Sequence, residues 1–435
     1  MDLLLRNANL VTQNPQRDIF KGDLLIRGNR IESVGESLEN PGVEELDLSG
    51  LTVIPGLIQT HVHLCQALFR NLADDLTLLD WLRYHIWPME QAHDEKSLRV
   101  SAQLGLFEML RCGVTSILDM GAARHMDVVF EELVRSGIRG FSGKVMMDAG
   151  DQPYRETTRE ALESTEALLK RWHGAENGRI HYALAPRFAL TCSNALWEGI
   201  DHLARRYGVL IHTHASENRQ EVELVRQQTG YHNVEFFVRK GLASNRLCLA
   251  HCIWLTEEEI HALKEYRVNV LHCPSANLKL GSGFAPVPRY LKEGINVSLG
   301  SDGAPCNNNM DIFVDMRLAA LIHKPNFGVT SIKARDVFDM VTLAGARTLG
   351  MADQLGSLEP GKLADLAVLD LNKVHTTPAE DFYSQIVYSA QSRDVVHVMV
   401  DGKWVVQNGQ PLAYSEEEIV NLAWQECNAL LKRLA

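Results

Sequence analysis

The chain has 435 residues, 46% hydrophobic and 23% charged, a balance typical of a globular protein with a buried core. Its formal net charge of −12 argues against nucleic-acid and anionic-membrane partners, since both favour basic surfaces. No run of ~20 uncharged apolar residues predicts a membrane span, and the N-terminus, with Asp2 and Arg6 in its short apolar run, is unlike a signal peptide. Eight irregularly spaced cysteines without a CxxC pair predict reduced thiols in a cytoplasmic protein.

The chain begins with segments that alternate apolar and polar residues, at 2–12 and 22–35, which predicts short antiparallel strands. From Val53 onward, strand patterns alternate with helix patterns, which indicates βαβ units and a parallel sheet. Eight such strands are predicted, at 53–61, 114–120, 140–147, 180–186, 209–215, 246–252, 268–273 and 296–302. Helices are predicted between and after them, among others at 97–111, 156–172, 195–207, 218–228, 256–266, 286–293, 310–322 and 335–350.

Eight βα units within about 250 residues match the size of a closed (β/α)8 barrel. Alternating patterns return at 364–370 and 396–405, and we expect these late strands to pair with the N-terminal ones. The predicted fold is therefore of the α/β class, a (β/α)8 TIM barrel with a small β-sandwich domain built from both chain ends. The predicted boundaries are 1–52 and 363–412 for the β-sandwich, 53–362 for the barrel and 413–435 for a C-terminal helix.

His61 and His63 lie at the end of the first predicted barrel strand. Side chains two residues apart on a strand point to the same side, so both rings converge. Neutral imidazole is the commonest metal ligand among side chains, so the pair indicates half of a divalent-metal site. The alternative is a histidine pair on a solvated strand face, and a bare HxH motif fits either interpretation equally well.

Further polar residues end other predicted strands, at the barrel rim where catalytic groups lie. The fifth strand ends in His214, the sixth in His251, the eighth in Asp302 and the fourth in Pro186-Arg187. Any one of them alone would be read as structural, but together they indicate an open metal site that activates a water molecule. Glu217, three residues after His214, is positioned to move protons beside the metal; the alternative is a helix-start acid favoured by the helix dipole.

These residues lie within longer motifs that resemble the amidohydrolase superfamily, and the resemblance covers essentially the whole chain. Within it, the chain is similar to the branch of 5′-methylthioadenosine/S-adenosylhomocysteine deaminases and s-triazine hydrolases. The matching segments are PGLIQTHVH (55–63), HTHASEN (212–218), LAHC (249–252), HCPSANLKLGSGFAPV (272–287), LGSDGAPCNNNMDIFVDMRLAAL (299–321), GARTLG (345–350) and LEPGKLADLAVLD (358–370).

The resemblance implies a role for each rim residue. Glu217 would carry a proton to a ring nitrogen of the substrate, and His251 would orient or polarise the attacking water while Asp302 accepts its proton. One divalent ion per subunit is implied, since Arg187 stands where two-metal branches carry a lysine; zinc is expected, with iron and nickel as alternatives. The implied metal ligands are His61, His63, His214 and Asp302.

The resemblance is mixed for substrate-binding residues. Glu90 matches a glutamate that binds ribose hydroxyls in the adenosine-type deaminases, although it would also suit a solvated loop. Gln66 and Arg187 resemble residues that hold the polar edge of the base in guanine deaminase, as the planar donors of arginine allow. Lys144 and Arg155 lie where the branch holds a substrate carboxylate, and surface charge is the interpretation we favour for both.

Three hypotheses follow. The leading one is hydrolytic deamination of an adenosine-like nucleoside, of the methylthioadenosine or S-adenosylhomocysteine type. The second is a guanine or other nucleobase deaminase, or an s-triazine amino- or chlorohydrolase. The third, a non-catalytic metalloprotein, would have no need of a proton carrier such as Glu217. We expect a small-molecule substrate and, because dimers are the commonest assembly, a homo-oligomer.

Overall fold

The computed structural model describes residues 2–40, 42–150 and 152–434. Its centre is a barrel of eight parallel strands, joined in two groups of four and closed by single bridges between Leu184 and Ile211 and between Val62 and Asp302. The strands are Leu57–Val62, Val114–Asp119, Arg139–Ser142 continued by Val145–Met146, Ile180–Tyr182 continued by Ala185–Pro186, Ile211–Ala215, Leu247–His251, Asn269–His272 and Val297–Leu299. All eight predicted strands are present.

Helices surround the barrel and bury apolar residues against it. The main helices are Glu95–Arg111, Met126–Ser136, Thr158–Trp172, Asn194–Tyr207, Arg219–Thr229, Asn233–Arg239, Glu257–Glu265, Pro274–Lys279, Val287–Glu293, Ile312–Ile322, Ala334–Met340, Leu343–Thr348 and Glu416–Leu434. Side-chain caps fix several of their starts: Asp94 accepts from the Ser97 amide at 2.8 Å, and Asn218 accepts from the Gln220 amide at 2.9 Å. No helix among the described residues is long and apolar enough to cross a membrane.

Strands from both chain ends form one further sheet of nine strands beside the barrel. The two halves meet at Thr52–Pro55, which pairs in parallel with the first strand and antiparallel with Leu366–Leu369. The late strands therefore pair with the early ones, as expected. The strands are Asp2–Val11, Ile19–Arg27, Arg30–Gly35, Glu44–Asp47, Thr52–Pro55, Leu366–Leu369, Val395–Val400, Lys403–Gln407 and Gln410–Pro411.

The first predicted barrel strand, 53–61, is two strands that meet at Gly56. Thr52–Pro55 belongs to the terminal sheet, and Leu57–Val62 belongs to the barrel. A Cβ on Gly56 would lie 2.1 Å from Oγ1 of Thr115, so the chain can cross between the two sheets only without a side chain here. Both segments are fully buried, and a continuous apolar run does not reveal such a division.

The predicted fold class is confirmed: a barrel accompanied by a β structure from both chain ends. The C-terminal helix Glu416–Leu434 lies against Glu95–Arg111, with ion pairs from Lys96 to Glu426 (2.6 Å) and from Arg111 to Glu416 (3.0 Å). The exact domain boundaries at 52/53, 362/363 and 412/413 stay predictions.

Candidate metal-dependent active site

Four histidines and one aspartate meet at the rim formed by the C-terminal ends of the barrel strands. Ligand atoms of His61, His63 and His214 lie within 4.8 Å of one another, and so do those of His61, His251 and Asp302. Oδ1 of Asp302 is 3.4 Å from Nε2 of both His61 and His63. The two groups share His61, so they form one cluster.

The backbone holds this cluster in a strained conformation. His251 and Asp302 have φ angles of 74° and 65°, in the left-handed region that non-glycine residues rarely adopt. The Asp302 amide donates to the carbonyl of His61 at 3.0 Å, which ties the eighth strand end to the first. Such strain persists where the surrounding structure enforces it, which is common at functional sites.

In His61 and His214, one ring nitrogen points away from the cluster and is held by a contact outside it. Nδ1 of His61 lies 2.7 Å from Nε2 of His212, and Nδ1 of His214 lies 2.7 Å from the carbonyl oxygen of Arg187. These contacts leave Nε2 of His61 and Nε2 of His214 to face the cluster. Nε2 of His61 is buried and has no hydrogen-bond partner among the described residues.

The protonation states suit a divalent cation. Burial lowers the pKa of His61 and places the pKa of His63 and His214 well below the ordinary value, so all three rings are neutral lone-pair donors. Neutral imidazoles and one carboxylate are a ligand set for zinc and similar ions, so the residues present fit a divalent metal.

Glu217 lies beside the cluster without joining either ligand group. Its Oε2 is 3.4 Å from Nε2 of His251, whose Nδ1 is 2.8 Å from Oδ1 of Asn277. The amide of Glu217 donates to Glu221 at 3.2 Å. Burial raises the pKa of Glu217 to about 7, so near neutral pH this carboxyl group can both accept and donate a proton.

A buried polar network lies at the other side of the cluster. Glu90 accepts from Nε2 of Gln66 at 2.8 Å through Oε1, and from Nη1 of Arg187 at 2.6 Å through Oε2. The hydroxyl of Tyr154 also donates to Oε2 of Glu90. The side chains of Arg187 and Glu90 are only 3% and 8% exposed, so this is a desolvated ion pair rather than a surface contact.

The cluster opens into a cleft at the barrel rim that is lined by both polar and apolar side chains. One wall is apolar and comes from the helical segment 78–91, which contains a widened turn at Leu82–Ile86. Widened turns of this kind occur frequently at functional sites. The lining residues are His63, Gln66, Leu78, Leu79, Trp81, Leu82, Arg187, Phe188, His214, Ala215, Glu217, Glu221, His251, Leu280 and Asp302.

Comparison with known proteins assigns the family. The model of the amidohydrolase family matches residues 52–405, which include the barrel and every residue of the cluster. The chain belongs to the amidohydrolase family. It is thus similar in sequence and fold to enzymes that hydrolyse C–N bonds.

Individual members of the family are similar over nearly the whole chain. The 5′-deoxyadenosine deaminase of Methanothermobacter thermautotrophicus is 40% identical over 93% of this chain and 94% of its own length. The 5-methylthioadenosine/S-adenosylhomocysteine deaminase of Thermococcus onnurineus is 38% identical over 93% of both chains. The zinc-bound structure of an adenosine deaminase from Xanthomonas campestris superposes with a TM-score of 0.93, at 30% identity and 99% coverage of both chains.

In this amidohydrolase the expected residues are brought together with two exceptions. All four expected metal ligands belong to the cluster, and Glu217, His251, Gln66 and Arg187 line the cleft beside it. Glu90 is not in the lining but contacts Gln66 and Arg187. Lys144 and Arg155 are absent from the cleft lining. Lys144 pairs with Glu156, but its side chain is buried, so the surface-charge interpretation is wrong for Lys144. Arg155 is exposed and donates to the carbonyl of Gly150 at 3.3 Å, which agrees with that interpretation.

Some residues of the site were missed by the sequence analysis. His212, Tyr154, Asn277 and Glu221 each contact an expected site residue. His212 carried a signal, because it stands two residues before His214 and repeats the HxH spacing of His61 and His63. Tyr154 carried none, because its partner Glu90 is 64 residues away.

Proposed function

We propose that this amidohydrolase is a metal-dependent deaminase of an adenosine-like nucleoside, of the 5′-deoxyadenosine, methylthioadenosine or S-adenosylhomocysteine type. The observation that carries the proposal is the combination of 40% and 38% identity to two such deaminases with an intact rim cluster. A non-catalytic role is disfavoured, because a buried acid with a pKa near neutrality, Glu217, lies beside the cluster.

His61, His63, His214 and Asp302 would hold one divalent ion, for which zinc is the first candidate because the adenosine deaminase structure contains it. When bound, such an ion lowers the pKa of a coordinated water molecule and so supplies the nucleophile near neutral pH. His251 would orient this water, since its Nε2 lies between Glu217 (3.4 Å) and Oδ2 of Asp302 (3.8 Å).

Glu217 and Asp302 would move the two protons of the water molecule. The water oxygen attacks the ring carbon that bears the amine, and its first proton passes through Glu217 to the adjacent ring nitrogen. The second proton passes through Asp302 to the amine, the C–N bond breaks and ammonia leaves. A carboxyl group with a pKa of about 7 suits the first transfer, because it gains and loses a proton at little cost near neutral pH.

A specific observation favours a second candidate, a nucleobase deaminase of the guanine type. Both oxygens of Glu90 are occupied, by Gln66, Arg187 and Tyr154, so a ribose hydroxyl would have to displace a donor to reach this carboxylate. In the guanine-type interpretation, Arg187 and Gln66 contact the polar edge of the base, and Glu90 holds them in place. The deaminase chemistry at the metal is the same in both candidates.

An ammonia-release assay over adenosine, 5′-deoxyadenosine, 5′-methylthioadenosine, S-adenosylhomocysteine, guanine and melamine distinguishes the candidates. Each assay uses protein of known metal content and is repeated with Glu217→Gln as the background. Turnover of the adenosine derivatives with little turnover of guanine supports the proposal. The reverse preference supports the second candidate, and metal-loaded protein that releases no ammonia from any of them contradicts both.

A further inference from the structure

His212 lies in the barrel interior directly behind His61. Nε2 of His212 is 2.7 Å from Nδ1 of His61, and the two ring planes are almost perpendicular, at 86°. Both side chains are fully buried. His212 and His214 lie on the strand Ile211–Ala215 two residues apart, so both point into the barrel, with His212 one layer further from the rim.

The contact with His212 determines which nitrogen of His61 carries the proton. Nε2 of His61 lies 3.4 Å from Oδ1 of Asp302 and faces the ligand cluster. A metal ion requires the lone pair of this nitrogen, so the proton of the neutral ring must be on Nδ1. Nδ1–H then donates to Nε2 of His212, and the proton of His212 is on its own Nδ1.

This arrangement is unfavourable for His212 itself. Its Nδ1 is buried and has no hydrogen-bond partner among the described residues. An unpaired buried polar group destabilises the folded state, so an apolar side chain at this position would stabilise the fold more. The benefit of a histidine here must therefore come from its contact with His61.

We propose that His212 is a positioning residue that fixes the ring orientation and the proton of His61, so that His61 presents Nε2 to the metal. This inference depends on the metal centre of the proposed function. Replacing a residue that is hydrogen-bonded to a ligating histidine typically lowers the metal affinity by 10–100-fold.

Three variants test the role of His212. His212→Phe removes the acceptor and keeps a planar ring, and His212→Gln retains an acceptor oxygen. His323→Phe is the matched control, because His323 is also buried but contacts no residue of the ligand cluster. The zinc dissociation constant is measured by chelator competition, and the visible absorption spectrum of the cobalt-substituted protein reports the ligand geometry.

We expect His212→Phe to bind zinc about 10–100-fold more weakly than wild type and to show an altered cobalt spectrum. His212→Gln should recover most of the affinity, and His323→Phe should match wild type in both measurements. Wild-type affinity and an unchanged cobalt spectrum in His212→Phe would overturn the inference. A wild-type protein that binds no divalent metal would instead contradict the proposed function.

A measurement on the zinc-loaded wild-type protein keeps the inference testable even if His212→Phe does not fold. Nitrogen-15 NMR of histidine-labelled protein distinguishes the two tautomers of each ring. The expected spectrum assigns the proton to Nδ1 in both His61 and His212. A His61 ring with its proton on Nε2, or a His212 ring with its proton on Nε2, would overturn the inference.

Discussion

Glu217 combines proximity to His251, near-complete burial and a pKa of about 7. Replacement by glutamine keeps the shape of the side chain but removes the titrating group. We expect Glu217→Gln to lower kcat by about 10²–10⁴-fold, the usual contribution of general acid–base catalysis. Because Glu217 is not in either ligand group, the metal content of the variant, measured by mass spectrometry, should stay near that of wild type. A variant that retains most of the wild-type rate would exclude the proton-transfer role.

The ion pair between Arg187 and Glu90 is buried, so the loss of one partner leaves an uncompensated charge. We expect Arg187→Met to lower the free energy of unfolding by about 3–5 kcal/mol, as measured by urea denaturation. The control is Arg289→Met, which breaks a solvent-exposed ion pair with Glu257 and should lower the free energy of unfolding far less. Equal effects of the two substitutions would show that the Arg187 pair is not desolvated.

Sequence could predict the residues that end strands but not their partners across the barrel. His61, His63, His214, His251 and Asp302 were predictable because parallel strands end at one rim. The network around Glu90 was not, because pairing of Glu90 with Tyr154 and Arg187 depends on the path of the helical segment 78–91 and on a loop. Hydrophobic periodicity gives no information on such paths.

At Gly300 the end of the eighth barrel strand passes close to the first strand, and no side chain lies between the two backbones. A Cβ on Gly300 would lie 2.5 Å from the carbonyl oxygen and 2.7 Å from the amide nitrogen of His61, and a backbone cannot yield as a flexible side chain can. We expect Gly300→Ala to displace His61 and to weaken zinc binding at least tenfold, as measured by chelator competition. The control is Gly35→Ala, whose Cβ would meet only the flexible end of Leu38, at 3.2 Å. Unchanged zinc affinity in Gly300→Ala would contradict the close approach.

At the level of elements, most strands and helices were predictable, but the predicted helix 335–350 is two helices, Ala334–Met340 and Leu343–Thr348, and the strand Glu44–Asp47 was not predicted. One predicted strand was also divided. The apolar run 53–61 has the pattern of one buried strand, yet Gly56 divides it between two sheets. The reason is tertiary: Thr115 occupies the space that a side chain at 56 would need. The sequence signal for this close approach was Gly56, a glycine inside an apolar run.

The whole molecule buries several neutral histidines, which predicts acid lability. Burial lowers the pKa of His93 and of His323 to about 4. The folded state therefore binds fewer protons than the unfolded state between pH 6.5 and pH 4, and the free energy of unfolding falls as the pH falls through this range. Each side chain contributes a loss of about 3 kcal/mol, at 1.36 kcal/mol per pKa unit.

Denaturant unfolding at pH 7 and pH 4.5 measures this effect on metal-free protein, so that loss of metal does not contribute. His323→Leu should show a smaller loss of stability between the two pH values than wild type, because it removes one of the groups that must stay neutral. An equal loss in both proteins would show that His323 does not titrate in this way.

At the scale of the fold, the count of eight βα units predicted the barrel, because it matches both the strand number and the usual length of that fold. The order of the nine strands in the terminal sheet could not be predicted, because it depends on which early strand contacts Leu366–Leu369. The homo-oligomeric state stays a prediction.

The central claim is that His61, His63, His214 and Asp302 bind one divalent ion. Anomalous diffraction from crystals of the zinc-loaded protein, recorded on both sides of the zinc absorption edge, tests it most directly. The account predicts one strong anomalous peak per subunit, within bonding distance of these four side chains. No peak at the barrel rim, or a peak bound by other residues, would contradict it.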